Sequence, residues 1–321
     1  MKKNILITGG AGNIGSALVE KLILDENNFV LVVDNLSTGS LSKLPADKKN
    51  NWDFIKCDVN DYDCIAKLMS AYKFDYVFHF AAVVGVIRTQ QNPISVLKDI
   101  EGIRNILDLS VKNVIKRVYF SSSSEVYGEP VELPQHEFRT PLNSRVPYAV
   151  VKNVGECFFR SYNQQYGLPY TIFRFFNTYG PNQSVDFVVS KFLAAALKNE
   201  DITIYGDGSQ TRTFTYIDDN IDTILKCHNN NLIVNDVLNI GSDKLLTIKE
   251  LAEIVIRITQ SKSKIVFLPP LKEGDMTRRQ PDNSKMLSIL DRNLIPIEAG
   301  IKLMMGSERY LKSIGLNSCA E

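Results

Sequence analysis

The chain has 321 residues, of which 44% are hydrophobic, and its 37 Lys and Arg residues nearly balance its 36 Asp and Glu residues. This length allows one large core or two unequal domains, and the near-zero net charge does not indicate a nucleic-acid or membrane-surface partner. No apolar segment is long enough to cross a bilayer, and the amino-terminal segment predicts a strand instead of a signal peptide. The five cysteines show no metal-ligand spacing, which predicts reduced thiols, a cytoplasmic protein and no metal site.

A glycine-rich turn follows the first predicted strand, Lys3–Thr8. Gly9, Gly12 and Gly15 have the spacing that allows a tight turn, a close approach of the backbone to a pyrophosphate and close packing of the next helix on the strand. The N–H groups at the start of that helix then face the phosphates. Gly10, Gly12 and Gly15 fit a second common spacing, so the sequence leaves open which glycine has which role.

The second predicted strand, Phe29–Asp34, ends in a carboxylate. A carboxylate at this place can accept hydrogen bonds from both ribose hydroxyls of an adenosine, and it repels a 2′-phosphate. The order of strand, glycine loop, helix, strand and acid therefore predicts a dinucleotide site that prefers NAD to NADP. The alternative is a glycine-rich turn in an ordinary α/β protein.

Apolar strands alternate with helices up to residue 176, which predicts a Rossmann-type, doubly wound parallel sheet. The further strands are predicted at Trp52–Cys57, Asp75–Phe80, Arg117–Ser121 and Tyr170–Phe176, and the helices at Ile14–Leu24, Tyr62–Ala71, Asn92–Val111 and Pro147–Tyr166. Residues 177–321 predict a smaller α+β lobe, with parts near 214–240 returning to the first domain, 1–176. In this lobe we expect a helix at Phe187–Lys198, strands at Ile202–Tyr205 and Arg212–Ile217, and a hairpin turn at Gly206–Gly208.

Tyr148 and Lys152 lie four residues apart on a predicted helix, so their side chains share one face. A tyrosine with its usual pKa of about 10 acts as a base near neutrality only if nearby cations lower that value. A lysine ammonium and an oxidised nicotinamide ring are such cations. The serines of Ser121–Ser124 leave the end of a neighbouring strand, where a hydroxyl can bind a substrate oxygen. Chance helical spacing is the alternative, but the preceding glycine loop favours a catalytic pair.

These motifs together resemble the extended short-chain dehydrogenase/reductase family, which contains nucleotide-sugar epimerases, dehydratases and decarboxylases. The resemblance extends over nearly the whole chain. It is carried by Gly9–Gly15, Asp34, Cys57–Val59, His79–Ala82, Ser123–Gly128, Tyr148–Lys152, Arg174–Pro181, Gly206–Arg212 and Arg278–Asp282.

The resemblance implies an NAD-dependent enzyme that acts on a nucleotide-diphosphate sugar. The implied cofactor-binding residues are Gly9, Gly12, Asn13, Ile14, Gly15, Asp34, Asp58, Val59, Ala81 and Lys152. The implied catalytic residues are Ser123, Tyr148 and Lys152, with Ser124 and Glu125 as further candidates. Asn177, Arg212 and Arg279 are the candidates for substrate binding, because planar guanidinium groups suit a diphosphate, and Arg278 is expected to be their solvated neighbour.

The family also pairs as a homodimer through two helices of each subunit, here about Asn92–Val111 and Pro147–Tyr166. The apolar side chains expected at this interface are Ile103, Ile106, Leu107, Phe158 and Phe159, although some of them must also face the sheet.

The expected first step is oxidation at C4 of the sugar. Tyr148 removes the hydroxyl proton while the hydride passes to NAD, Ser123 orients the oxygen, and Lys152 keeps the phenolate charged. An epimerase then returns the hydride, a dehydratase loses water, a decarboxylase loses a carboxyl group and a dehydrogenase releases the ketone. The sequence also leaves a non-catalytic NAD-sensing module as a remote alternative, since such a module loses the Tyr/Lys pair that is intact here.

Three features bear on the second step. Ser124 and Glu125 are more similar to the Thr-Ser-Glu of GDP-mannose dehydratases and UDP-glucuronate decarboxylases than to the Ser-Ala-Thr of UDP-galactose epimerases. Glu125 is then either a base that acts at C5 of the sugar or a residue that holds a neighbouring loop. Asp99 replaces the Asn of the family motif Asn-Val-x-Gly, which places a charge near the cofactor. Residues 82–88 differ from the Ala-Ser-Pro loop of the decarboxylases. We therefore expect an epimerase or dehydratase, with a 4-dehydrogenase and a UDP-glucuronate decarboxylase as alternatives.

Overall fold

The computed structural model describes residues 2–46, 50–85, 89, 92–270 and 278–316. Its strands are β1 (Lys3–Thr8), β2 (Asn28–Asp34), β3 (Trp52–Lys56), β4 (Tyr76–His79), β5 (Arg117–Ser123), β6 (Tyr170–Phe175), β7 (Thr178–Tyr179), β8 (Ile202–Tyr205), β9 (Thr211–Thr213), β10 (Thr215–Tyr216), β11 (Asp236–Ile240), β12 (Leu245–Thr247) and β13 (Ile265–Leu268). Its helices are α1 (Asn13–Leu22), α2 (Tyr62–Tyr72), α3 (Pro93–Leu97), α4 (Asp99–Lys112), α5 (Pro147–Tyr166), α6 (Val188–Leu197), α7 (Ile217–Asn229), α8 (Ile248–Thr259), α9 (Ser284–Leu290), α10 (Ile297–Met305) and α11 (Glu308–Ser313).

A seven-stranded sheet forms in the order β11-β6-β5-β4-β1-β2-β3. The strands from β6 to β3 pair in parallel, and the apolar residues of β1 and β2 other than the partly buried Phe29 are completely buried, as expected for a parallel sheet that is covered on both faces. The order of the strands reverses between β1 and β4. In such a sheet, ligands bind in the crevice at the carboxyl ends of the strands next to this reversal. The sheet confirms the predicted Rossmann-type fold.

The chain forms two compact units that alternate along the sequence. The first contains Met1–Gly128, Leu142–Phe175 and Ile224–Leu238, and the second contains Glu129–Pro141, Phe176–Thr223 and Asn239–Glu321. The first unit holds the glycine loop and α5, and the second holds the short strands β7 to β10 and the helices α8 to α11.

Apolar side chains on one face of the sheet form the core of the first unit together with α2, α4 and α5. This cluster includes Leu6, Leu31, Val33, Val77, Val118, Phe120, Ile172, Ile65, Met69, Ile103, Ile106, Leu107 and Phe159. Ile103, Ile106, Leu107 and Phe159 are therefore the members of the expected set that face the sheet, and they are not available to a dimer interface. The apolar stripe that they form on their helices packs against the sheet, and each is at most 2% exposed.

Of two long predicted helices, one has the predicted bounds and the other is interrupted. α5 has the predicted bounds, because Pro147 occupies its first turn and Gly167 ends it with a φ of 69°. The helix predicted over Asn92–Val111 is instead two helices, α3 and α4, interrupted at Lys98. The N–H of Glu101 bonds to the Lys98 carbonyl only three residues back, and this tighter turn makes Asp99 the first residue of α4. The apolar periodicity continues across the break, so the sequence did not reveal it.

In the second unit, the strand predicted over Arg212–Ile217 is two short strands, β9 and β10, and α7 begins at Ile217. The hairpin predicted at Gly206–Gly208 is also wrong. β8 pairs in parallel with β13, whereas β9 pairs antiparallel with β12, so the strands that flank the two glycines do not pair with each other. Both glycines still need left-handed backbone, with φ of 73° and 76°.

The cysteines depart from the expectation of five reduced thiols. Cys57 and Cys64 form a disulfide, since the connection from β3 to α2 brings their Cα atoms to 6.2 Å. Asp61 caps α2 by accepting the N–H groups of Asp63 and Cys64, and this turn places the second cysteine beside the first. The spacing along the chain did not indicate this pairing. Cys319 lies outside the described residues. Within the described ranges, none of the helices has the length and apolar character needed to cross a membrane.

Candidate active site

The glycine loop lies at the carboxyl end of β1, where the order of the sheet reverses. Gly12 is the N-cap of α1, so Asn13, Ile14 and Gly15 form its first turn. The N–H groups of a first turn have no acceptor inside the helix and attract an anion. The predicted loop residues thus lie at a helix terminus of the kind that suits a phosphate.

The structure also shows what surrounds each glycine of the loop. Gly9 has a φ of 69°, and a Cβ atom there would lie 2.5 Å from the Ala81 nitrogen. A Cβ atom on Gly15 would collide with the carbonyl oxygen of Gly9 and lie 2.7 Å from the Cα of Gly10. At Gly12 the nearest atom would be the Gly9 oxygen, at 3.1 Å, so this position keeps space for a ligand. A Cβ atom on Gly10 would in turn lie 2.6 Å from Val32 Cγ1, so these contacts account for all four glycines and leave both spacings open.

Asp34 is held in place at the end of β2. Its carboxylate accepts the N–H groups of Ala11, at 3.0 Å, and Leu36, at 2.8 Å. Each carboxylate oxygen can accept a second hydrogen bond, so the group still fits two ribose hydroxyls.

The other predicted cofactor residues surround the neighbouring strand ends. Asp58 accepts the side-chain amide of Asn35 at 3.1 Å, and the buried Val59 follows it. Ala81 comes after β4, and its N–H donates to Thr8 Oγ1 at 3.4 Å. Asn13 Oδ1 is buried and has no hydrogen-bond partner within the described part of the chain, so it remains available to a donor on a ligand. These residues together fit a nicotinamide dinucleotide.

Ser123 ends β5 and begins a single 3₁₀ turn, Ser124–Tyr127. Its Oγ accepts the N–H of Glu125 at 3.2 Å, which orients the hydroxyl and leaves its proton to donate. Ser124 is buried, whereas Glu125 is half-buried in the first turn. The three predicted residues thus lie together at one strand end.

Tyr148 and Lys152 share one face of α5, as predicted. The Lys152 ammonium lies 5.7 Å from the centre of the Tyr148 ring, 5.0 Å from that of Phe120 and 3.4 Å from Ser121 Oγ. Burial lowers the pKa of Lys152 to about 8, while the carboxylate of Asp99 acts in the opposite direction. A cation at this position favours the phenolate form of the tyrosine.

A buried ion pair connects α5 to the strands that carry these residues, and sequence reasoning missed it. Glu156, one turn after Lys152, accepts Arg174 Nε at 2.7 Å and Nη2 at 2.6 Å, and also the Ser122 hydroxyl at 2.7 Å. Arg174 Nη1 in turn donates to Tyr127 Oη at 2.8 Å. Burial opposes ionisation, but the hydrogen bonds and charge of Arg174 hold the pKa of Glu156 below its usual value. The pair fixes α5 against β5, β6 and the 3₁₀ turn.

The predicted substrate-binding residues belong to the second unit. A parallel bridge between Thr211 and Arg278 places the next residues, Arg212 and Arg279, side by side, and both are buried while Arg278 is exposed. Arg212 Nη1 donates to the Thr211 carbonyl at 2.9 Å. Asn177 contacts the same segment as Arg212, since its amide donates to the Thr213 carbonyl at 3.0 Å. The structure therefore brings the two arginines together.

The fold and the first unit's site are those of a short-chain dehydrogenase/reductase, in which a helix terminus binds a dinucleotide beside a Tyr/Lys pair. The chain belongs to the NAD dependent epimerase/dehydratase family, whose model matches residues 5–241. It is therefore an NAD-dependent enzyme of the extended group of these proteins. This finding confirms the predictions of the family, the enzyme class and the cofactor.

Individual relatives cover most of the chain. It is 36% identical to a UDP-N-acetyl-alpha-D-glucosaminuronate decarboxylase of Bacillus cytotoxicus over 89% of this chain and 91% of that protein. It is also 36% identical to a putative UDP-glucose 4-epimerase of Methanocaldococcus jannaschii over 93% and 96% of the two chains. Among solved structures, the UDP-glucose 4-epimerase of Thermotoga maritima, with UDP-glucose, has a TM-score of 0.88 at 32% identity and covers 97% of this chain and 99% of that one.

Proposed function

We propose that the enzyme oxidises C4 of a nucleotide-diphosphate sugar and then returns the hydride in the same site, as an epimerase or a dehydratase does. The observation that carries this proposal is the buried Lys152 ammonium beside the Tyr148 ring, on a helix fixed against the strand that ends in Ser123. The relatives named above, which act on UDP-sugars by their names, support a uridine nucleotide.

Each of these residues then has a separate role in the first step. The first turn of α1 binds the pyrophosphate and Asp34 binds the adenosine ribose. The Ser123 hydroxyl donates to the sugar oxygen, and the Tyr148 phenolate accepts the proton of the C4 hydroxyl. Lys152 stabilises the phenolate and binds the nicotinamide ribose. Bound NAD supplies the acceptor for the hydride.

The second unit is the proposed nucleotide-sugar lobe, and the first is the proposed NAD-binding domain. Arg212 and Arg279 are adjacent and buried, and two fixed guanidinium groups suit the two phosphates of a nucleotide diphosphate. Asn177 is the proposed third contact with the substrate.

Decarboxylation of a UDP-glucuronate-type sugar is the second candidate function. Glu125 lies in the turn directly after Ser123, where its carboxylate can act on the sugar ring, and the Bacillus cytotoxicus relative carries the name of a decarboxylase. Part of the loop that differs from the decarboxylases, residues 86–88, lies outside the described residues.

A panel of nucleotide sugars, with each product identified by mass and proton NMR, tests these proposals. A product of unchanged mass and inverted C4 identifies an epimerase, and loss of water identifies a dehydratase. Loss of carbon dioxide would select the second candidate. Loss of two hydrogens with reduced nicotinamide in solution would select a 4-dehydrogenase. If no nucleotide sugar is converted while NAD binds, the proposed function is wrong.

Glu125→Gln separates the two steps of the reaction. If Glu125 is the base at C5, the variant still reduces bound NAD on addition of substrate but stalls before product, because hydride transfer depends on Tyr148 and Ser123. The measurements are the absorbance of reduced nicotinamide and the incorporation of solvent deuterium at C5. The matched control is the exposed Glu129→Gln, which keeps normal turnover. If Glu125→Gln keeps full turnover, Glu125 is not the base at C5 and only anchors the loop.

We also propose a homodimer, on the basis of the family resemblance. The side chains available for it lie on the outer face of α5 and line a groove formed by Val154, Cys157, Phe158, Ser161, Tyr162, Gln165 and Tyr166. Phe158→Asp places a charge in this apolar groove and is expected to give a monomer by light scattering at micromolar concentration. Glu101→Gln, an exposed change on α4, is the control. A wild-type protein that is itself monomeric would refute the dimer.

A further inference from the structure

The buried ion pair of Glu156 and Arg174 lies between the two parts of the first unit that carry the candidate catalytic residues. Glu156 is one helical turn after Lys152 on α5, and Tyr148 is one turn before Lys152. Arg174 lies on β6, which pairs with β5 as far as the last residue of that strand, Ser123. The helix that carries the proposed base and the strand that carries the proposed hydroxyl are therefore connected to one pair of charges.

The same ion pair holds the chain on both sides of Ser123. The residue before it, Ser122, is paired with Arg174 in the register of β5 and β6, and its Oγ donates to Glu156 Oε1 at 2.7 Å. On the other side, Tyr127 ends the 3₁₀ turn, and its Oη accepts Arg174 Nη1 at 2.8 Å. Ser123 thus lies in a short segment whose two ends bind the same ion pair.

A close apolar contact sets the distance between α5 and β5. A Cβ atom on Gly155 would lie 2.5 Å from Cζ of Phe120, so the helix needs a glycine where it crosses this ring. Such a contact is non-directional, and it fixes how near the helix lies but not its position along the strand. Hydrogen bonds are directional, so the bonds of Glu156 to Ser122 and Arg174 supply that second constraint.

The orientation of the Arg174 guanidinium is fixed by its bonds to both carboxylate oxygens. Its Nε donates to Glu156 Oε1 and its Nη2 donates to Glu156 Oε2. This planar, two-bond arrangement directs the remaining nitrogen, Nη1, at the Tyr127 hydroxyl. The guanidinium also lies over the Tyr127 ring, 4.9 Å from its centre. The turn that follows Ser123 is therefore held by a group that cannot rotate away.

We propose that Ser122 and Tyr127 are positioning residues, which act through this ion pair to hold the Ser123 hydroxyl in the place that the reaction needs. This inference rests on the proposed roles of Ser123 and Tyr148. Misplacement of a reacting group by about 1 Å can cost about 10²-fold in rate, so release of either side of the segment is expected to slow the chemical step.

Tyr127→Phe tests this proposal in the NAD-bound enzyme. It removes one hydroxyl and keeps the buried ring beneath the guanidinium. We expect kcat for the nucleotide sugar identified in the panel to fall about tenfold, while KM and the affinity for NAD keep their wild-type values, because the binding groups remain and only the placement of Ser123 is relaxed. With a substrate that carries deuterium at C4, the isotope effect on kcat is expected to increase, since hydride transfer becomes slower relative to the other steps.

Ser122→Ala releases the other side of the segment and is expected to give the same split between kcat and KM. A second measurement needs no substrate. The amides of Glu125 and Gly128 close the turn, by bonds to Ser123 Oγ at 3.2 Å and to the Glu125 carbonyl at 3.0 Å. We expect both amides to exchange hydrogen faster than in the wild type in each variant.

Tyr119→Phe and Ser110→Ala are the matched controls, because each removes a buried hydroxyl of the first unit that bonds away from the turn. The Tyr119 hydroxyl bonds to His228 Nδ1 at 2.9 Å, and the Ser110 hydroxyl donates to the Ile106 carbonyl at 2.6 Å. Both controls are expected to keep the wild-type kcat and the wild-type exchange of the turn amides.

Equal falls of kcat in Tyr127→Phe and Tyr119→Phe would show a general loss of packing, and the proposal is then wrong. It is also wrong if Tyr127→Phe keeps both the kcat and the amide exchange of the wild type. If Tyr127→Phe does not fold, Ser122→Ala is judged by the same criteria. If the wild type converts no nucleotide sugar, the proposed function fails, and amide exchange alone decides the inference: faster exchange in the variants supports it and unchanged exchange contradicts it.

Discussion

Tyr148→Phe is expected to lower turnover by about 10²–10⁴-fold, the usual contribution of a positioned acid or base. The change removes only the phenolic oxygen and keeps the ring beside Lys152 and Phe120, so the fold and NAD binding are expected to survive. Turnover is measured with the substrate found in the nucleotide-sugar panel. NAD affinity is measured by calorimetry.

The control for this prediction is Tyr166→Phe, on the same helix. The Tyr166 side chain is exposed, and its hydroxyl accepts only the amide of Gln165, at 3.1 Å, among the hydrogen bonds of the described residues. Normal turnover is expected for it. Retention of more than about a tenth of the wild-type rate by Tyr148→Phe would contradict the role of Tyr148 as the base.

Arg174→Met is expected to lower the free energy of unfolding by about 3–5 kcal/mol, because it leaves the Glu156 carboxylate buried without its main partner. Glu156 is completely buried and Arg174 is 1% exposed. Urea denaturation near neutral pH measures the change. Arg160→Met, which removes the other cation that contacts Glu156, is the control. Arg160 is 44% exposed, so we expect a loss of roughly 0–1 kcal/mol.

The loss of stability in Arg174→Met is also expected to depend on pH, and its direction follows from the pKa of Glu156. Arg174 holds the pKa of Glu156 below its ordinary value of 4.5. The stabilisation is therefore fully present above the pKa of the unfolded chain and is lost as the pH falls through that of the folded protein. The difference between wild type and Arg174→Met should accordingly shrink in acid. A difference that is constant from neutral to acidic pH would show that the loss comes from packing and not from charge.

Local patterns in the sequence were sufficient to predict most of the candidate site. A strand followed by spaced glycines places a helix terminus at the end of β1, and the next strand ends in Asp34, because both features depend on residues that are close in sequence. Tyr148 and Lys152 share one face for the same reason, since four residues are about one helical turn. Strand-end geometry in a parallel sheet then brings Ser123 to the same edge.

Contacts between distant residues were decided only by the tertiary structure. The need for a glycine at position 9 comes from the close approach of the Ala81 backbone, which no local pattern in the sequence shows. The pairing of β8 with β13 and the ion pair of Glu156 with Arg174 follow no local period. The disulfide between Cys57 and Cys64 joins residues that are close in sequence, but it depends on how the chain turns between β3 and α2. Asp99 was recognised in the sequence as an unusual charge, but the hydrogen bond that it accepts from the Val83 N–H, at 2.7 Å, joins residues that only the fold brings together. Periodicity reports which face of an element is buried, whereas the partner across that face depends on how the strands and helices are connected and packed.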